Sequence, residues 1–169
     1  MKEYEAAINE YYSSFEINSL LYCWDIYSSY FDKLCLNYND IRVLTNLAET
    51  NKWTHILDLD MELLHKKQVV VVTDAKLNIV HATQNIYDMN GYKPKEVIGY
   101  KPKMFQGKDT SKDTIAYISE AVANKISFEA IVLNYRKDGT PYNCYIKGFP
   151  VFNNKEKLIN FIAYEREVA

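Results

Sequence analysis

The chain has 169 residues, 48% of them hydrophobic, enough for one proper core or for one domain with an appendage. A formal net charge of −2 and a pI near 5.9 argue against a nucleic-acid binder, because neutralising phosphates needs a basic face. No apolar run is long enough to cross a bilayer, and the start MKEYEAAINE lacks a signal-peptide core, so the expectation is no membrane role and a cytoplasmic location.

All glycines (91, 99, 107, 139, 148) and all prolines (94, 102, 141, 150) lie after residue 90, which leaves the first two thirds of that span open to long helices. Tyr4, Ala7, Ile8, Tyr11, Tyr12 and Phe15 keep helical spacing, and Leu20, Leu21, Trp24, Tyr27, Phe31 and Leu34 keep it again. Ser13-x-x-Glu16 fits a capping box between the two runs. Asn39-Asp40 read as cap residues before a third helix carrying Ile41, Leu44 and Leu47, and Trp53, Ile56, Leu57, Met61 and Leu64 mark a fourth. Residues 1–66 are therefore expected to form a helical bundle or arm.

From residue 67 to 169 the pattern changes. Gln68-VVVV-Thr73-Asp74 and Leu77-NIVHA-Thr83 read as strands around a short turn. The pentapeptide GYKPK then occurs twice, starting at Gly91 and at Gly99, and the second copy runs into MFQG. Thr110-x-x-Asp113 fits the cap of a helix carrying Ile115, Ile118 and Val122. Residues 128–137 and 140–152 read as strands joined at Asp138-Gly139, the strongest hairpin signal in the chain, and residues 157–165 as a final strand. The order predicts an α+β fold, an antiparallel five-stranded sheet with short helices on one face, preceded by the helical segment.

Charge divides at the same place. Residues 1–66 hold 11 acidic and 5 basic side chains and residues 67–169 hold 11 and 15, so −6 faces +4. The acidic helices are suited to pack on the basic domain, within the chain or across a dimer.

Strand alternation places Cys144 with Ile146 and Gly148 on one face of their strand, and Asn134 with Phe128, Ala130 and Val132 on one face of theirs. Cys144 reads either as a small buried hydrophobe or as a reactive thiol. Asn134 reads as a backbone-bonded amide or a ligand contact. Cys23, Cys35 and Cys144 have no CxxC spacing, which fits reduced thiols rather than a disulfide framework or a zinc site. The histidines at 55, 65 and 81 are scattered, so no metal site is expected. No Ser/His/Asp or Cys/His arrangement, phosphate-cradling glycine loop or HExxH spacing appears, so no enzyme is expected.

GYKPKMFQG (99–107), LNYRKDG (133–139), PYNC (141–144) and FIAYE (161–165) together resemble a PAS domain, and within that family the light-oxygen-voltage (LOV) flavin photosensors. Their pattern runs G-x-N-C-R-F-L-Q-G, a helix, N-Y-x-K-x-G, F-W-N and a last strand ending G-V-Q, and it lies on residues 99–167 without a gap. The resemblance implies a sensory or regulatory module in signal transduction with a small-ligand pocket. It also implies homodimerisation through flanking helices, here the N-terminal ones, and a signalling protein as partner.

In that family the cysteine of N-C-R forms a light-driven adduct with the flavin, and its neighbours hold the ring and the phosphate. Those three positions fall on Lys101, Pro102 and Lys103. Proline has no nucleophile, and lysine lacks the planar fork that grips phosphate. A second family arginine falls on Ser119, the strand asparagine on Cys144 and the final-strand glutamine on Glu165, while Gln106 and Asn134 match. An ionised Glu165 only accepts hydrogen bonds and would face flavin oxygens at a cost on the order of 1–3 kcal/mol. The expectation is thus a module acting through protein–protein interaction without LOV photochemistry, with a cysteine-less FMN or FAD light or redox sensor as the alternative. Glu165 is expected to turn inward and pair with Lys101 or Lys103. The helix that supplies the iron ligand in haem-binding relatives has no histidine here, so no haem is expected.

Overall fold

The computed structural model describes residues 18–54 and 58–169, without the side chains of residues 18–26, 29 and 30. The Ser13 capping box, the helical run from Tyr4 to Phe15, and Ile56 and Leu57 lie outside the described residues. The chain divides into two compact units between Cys35 and Leu36.

Helix α1 runs unbroken from Asn18 to Asn51. The expected stop at Asn39-Asp40 does not occur, because both side chains are engaged away from a cap. Asn39 Oδ1 accepts from Arg42 Nη2 at 3.1 Å, and Asp40 Oδ2 accepts from the Gln84 backbone N–H at 2.7 Å. The expected helix from Trp53 is also replaced. Trp53 sits in an isolated bridge with Asn153 and donates its Nε1–H to Asn160 Oδ1 at 2.9 Å, and a short π-helical turn follows at Met61–His65.

The sheet comprises β1 (Val69–Asp74), β2 (Ile79–Ala82), β3 (Phe128–Tyr135), β4 (Pro141–Phe152) and β5 (Leu158–Val168). All pairings are antiparallel in the order β2-β1-β5-β4-β3, so the first and last strands in sequence lie side by side at the centre. Between β2 and β3 run α2 (Ile86–Asn90), α3 (Pro94–Val97), a 3₁₀ turn (Pro102–Phe105) and α4 (Lys112–Ala123). This is the α+β PAS architecture the sequence predicts.

Each GYKPK copy writes the same local instruction. Its glycine takes positive φ (+76° at Gly91, +88° at Gly99), which glycine adopts without steric cost. Its second lysine-flanked position, proline, then opens a short helix, with extended Lys93 or Lys101 before it as a residue preceding proline requires. Helix α4 is capped by Ser111, whose Oγ accepts from the Thr114 N–H at 3.2 Å, and not by Thr110. Thr110 instead donates its hydroxyl to the Leu133 carbonyl at 2.7 Å, tying the loop to β3.

The run Val69–Val72 is buried along its whole length because the sheet is covered on both faces. Val69 and Val71 join Ile79, Ile86, Val97 and Phe105 beneath the short helices. Val70 and Val72 join Leu44 of α1, Leu59, Leu63, Val151 and Ile162 on the other side. Helical cover on this second face is a feature that the sequence reading did not anticipate.

Candidate ligand cavity

A cavity of about 410 Å³ lies between the inner face of the sheet, the 3₁₀ turn and α4. Its volume falls in the range of small-molecule sites. The side facing α4 is apolar, with Ile115, Ile118 and Val122 one helical turn apart, and Phe128, Val132 and Ile146 continue that surface on the sheet. The helix spacing that put Ile115, Ile118 and Val122 on one face thus builds one wall.

Seven of the eight site residues named from sequence line this cavity: Lys101, Pro102, Lys103, Gln106, Ser119, Asn134 and Glu165. Lys101, Lys103 and Ser119 are exposed, so they border its open side, whereas Asn134 and Glu165 are buried. Gln106 ends the 3₁₀ turn and bridges to Asn134 on β3, which brings two amides together across the end of the cavity.

Cys144 is placed differently. It is in phase with Ile146 and Gly148 but stands among the core residues beside Tyr142, off the cavity wall. Its thiol lies 3.8 Å from Glu165 Oε2, and burial followed by the nearby carboxyl pushes its pKa up. That environment opposes thiolate formation, so Cys144 is the buried hydrophobe and not the reactive thiol.

Glu165 turns inward on β5 with Phe161 and Ala163, but it makes no ion pair with Lys101 or Lys103. The lysines keep their ammonium groups in water, where hydration favours them. At 4% exposure with the Cys144 thiol as its hydrogen-bond partner, the carboxyl has its pKa pushed up to about 7, chiefly by burial.

Three wall features escaped the sequence reading. Thr73 on β1 is buried and its hydroxyl has no hydrogen-bond partner among the described residues. Its inward phase with Val69 and Val71 was available from strand alternation, but the unbroken apolar run masked that alternation. Gly148 is required by Phe128, since a Cβ there would lie 2.4 Å from the Phe128 ring. Only the register that pairs Phe128 with Gly148 reveals this contact. Similarly, the Tyr135 ring covers Gly107 while its hydroxyl donates to Asp109 Oδ2 at 2.8 Å, fixing the end of MFQG against β3.

Residues 67–169 match the family pattern of the PAS domain. The chain is 37% identical over 106 residues to Phototropin-2 of Oryza sativa subsp. japonica, a match covering 61% of this chain and 12% of that protein. It is 39% identical over 88 residues to Protein TWIN LOV 1 of Arabidopsis thaliana (52% and 22%), and 28% identical over 115 residues to a blue-light photoreceptor of Listeria monocytogenes (66% and 45%). The chain thus spans less than half the length of each of these relatives. Among solved structures, the dark state of the Aureochrome1 LOV domain superposes with a TM-score of 0.61 at 24% identity, covering 68% of this chain and 86% of that one. A LOV domain studied with a flavin analogue superposes at 0.62 and 22% identity, covering 67% and 86%. These likenesses concern the fold. Among the described residues no helix is long and apolar enough to cross a membrane, and no cluster of His, Cys, Asp and Glu could hold a metal ion. With its sheet order, its inner-face cavity and a family match over residues 67–169, the chain belongs to the PAS domain family, as a LOV-like sensory module of signal transduction.

Proposed function

We propose that this module senses through a flat, heteroaromatic ligand of the flavin class held non-covalently in the cavity, and signals by changing protein contacts. The observation that carries the reading is the open cavity of about 410 Å³. The interaction-only expectation rested partly on a Glu165–lysine pair filling this space, and without that pair the alternative gains ground.

The residues fit such a group. Its apolar ring faces would lie between Ile115, Ile118 and Val122 on one side and Val132 and Ile146 on the other. Gln106, Asn134 and the unpartnered Thr73 hydroxyl offer donors and acceptors for a polar ring edge, and the exposed Lys101 and Lys103 offer charge for a phosphate tail. A bound flavin supplies blue-light absorption and reversible redox change. Pro102 carries no nucleophile, so no covalent bond to a ligand forms from that position. The relatives support the class, since they include phototropins and blue-light photoreceptors.

For the route out, we propose a homodimer through α1. Tyr27, Phe31, Leu34 and Tyr38 follow heptad spacing, and Tyr27, Phe31 and Tyr38 are 70%, 57% and 56% exposed.

The test is the absorption spectrum of freshly purified protein, followed by mass spectrometry of what denaturation releases. A flavin band with stoichiometric FMN or FAD supports the reading. A colourless protein that releases nothing and fails to take up added flavin rejects it in favour of a ligand-free interaction module.

A further inference from the structure

A carboxyl group buried on a cavity wall without a cation is unusual, because an isolated buried carboxylate is costly. Glu165 occupies that position on the central strand β5. Its flanking strands offer no positive charge. β1 contributes Val69, Val71 and Thr73 to this face, and β4 contributes Cys144 and Ile146. The Cys144 thiol and the nearby Tyr142 phenol are both pushed up by burial and stay neutral near pH 7. Asn134 on β3 and Gln106 after the 3₁₀ turn are uncharged amides, while Lys101 and Lys103 are exposed at the rim. Further along β5, Glu167 is engaged by Arg136, at 2.6 Å. Ser119 is the polar side chain that α4 adds to the wall.

We propose that Glu165 selects the cavity's ligand as a neutral carboxylic acid, donating a hydrogen bond to an uncharged, acceptor-bearing ring, so that binding draws a proton into the cavity. This rests on the cavity being a ligand site, and it adds the chemistry that the site chooses. A protonated carboxyl has one donor and one free acceptor, whereas a carboxylate has acceptors alone and repels a ring oxygen or nitrogen. Burial supplies the protonated form near neutrality, as Glu165 rises to about 7 before any ligand enters. An acceptor facing its O–H raises it further, since only the protonated form makes that bond. The same wall rejects ligands that present an anion there and admits those with a carbonyl or aza nitrogen.

The sign of the linkage follows. Below about pH 7 the free protein already holds the proton and affinity is flat. Above it, each binding event takes up a proton from solvent, and affinity falls about tenfold per pH unit.

The experiment titrates the full chain with riboflavin, which lacks the titrating phosphate of FMN, between about pH 6 and 9. The wild type is expected to lose affinity above neutrality while Glu165→Gln, which keeps a donor and an acceptor without titrating, gives a flat profile. Calorimetry of the wild type at about pH 8 in two buffers of different ionisation enthalpy should show close to one proton taken up per riboflavin. This second measurement stands even if Glu165→Gln fails to fold. Riboflavin binding with a flat wild-type profile and no proton uptake overturns the Glu165 proposal alone, as does an equal slope in Glu165→Gln. No riboflavin binding at any pH overturns the flavin reading of the cavity and this proposal with it.

Discussion

Asp40 on α1 and His81 on β2 face each other across the outer side of the sheet, with Oδ1 and Nε2 3.8 Å apart and each without a hydrogen-bond partner among the described residues. Asp40 is 1% exposed, and burial raises its pKa from 3.8 to about 6, against the lowering effect of the Gln84 N–H. Burial lowers that of His81. Two buried ionisable groups thus hold this half of α1 to the sheet, each favoured in its neutral form.

That pair gives a pH prediction with a definite sign. A raised Asp40 pKa means the folded state binds the proton more tightly, so the contribution of Asp40 is fully present below about pH 4 and is lost as pH rises through about 6. Two pKa units correspond to roughly 3 kcal/mol as an upper bound. Asp40→Asn keeps an acceptor for Gln84 and does not titrate. Denaturant unfolding should show the variant gaining on the wild type by up to about 3 kcal/mol between pH 4 and 8, and parallel profiles would count against this reading.

The Phe128–Gly148 contact predicts a coupled pair. Gly148→Ala places a methyl group against the Phe128 ring, where a Cβ would sit 2.4 Å away, and should cost about 1–3 kcal/mol of stability. Phe128→Leu removes the obstructing ring edge. In the double variant the penalty of Gly148→Ala should shrink by at least about 1 kcal/mol, measured as a double-mutant cycle in urea. Additive effects would mean that the ring moves aside at no cost.

The heptad stripe on α1 predicts association. Sedimentation equilibrium should show a dimer, and replacing both Tyr27 and Phe31 with Glu should weaken it at least about tenfold without changing the circular dichroism, because charge is excluded from a helix seam. A wild type that stays monomeric at high concentration, or a variant that dimerises equally well, would remove α1 as the interface.

What could be read from sequence followed the range of the interactions. The five strands, the hairpin at Asp138-Gly139 and the helix at 112–123 rest on local pattern, and the structure has them. The inward direction of Glu165 followed from alternation, but its partner did not, since that depended on where exposed lysines end. Asn39-Asp40 looked like a helix cap because the residue types suit one. The competing partner, the Gln84 N–H, lies 44 residues away and is invisible to local reasoning. Ser111 and Thr110 are adjacent and chemically alike, and only the pull of the Leu133 carbonyl decides which of them caps α4. Cys144 is set aside from the cavity by its place along β4, which the strand's phase alone cannot supply.

The central claim is that the cavity between the sheet and α4 holds the sensed ligand. Ala163 lines it and pairs with Gly148, so Ala163→Phe fills space there without removing a polar group. Fluorescence titration with FMN at about pH 6.5 should give saturable one-to-one binding to the wild type, and at least about tenfold weaker binding to Ala163→Phe with an unchanged fold. Equal affinity in both proteins, or no saturable binding to the wild type, would contradict the claim.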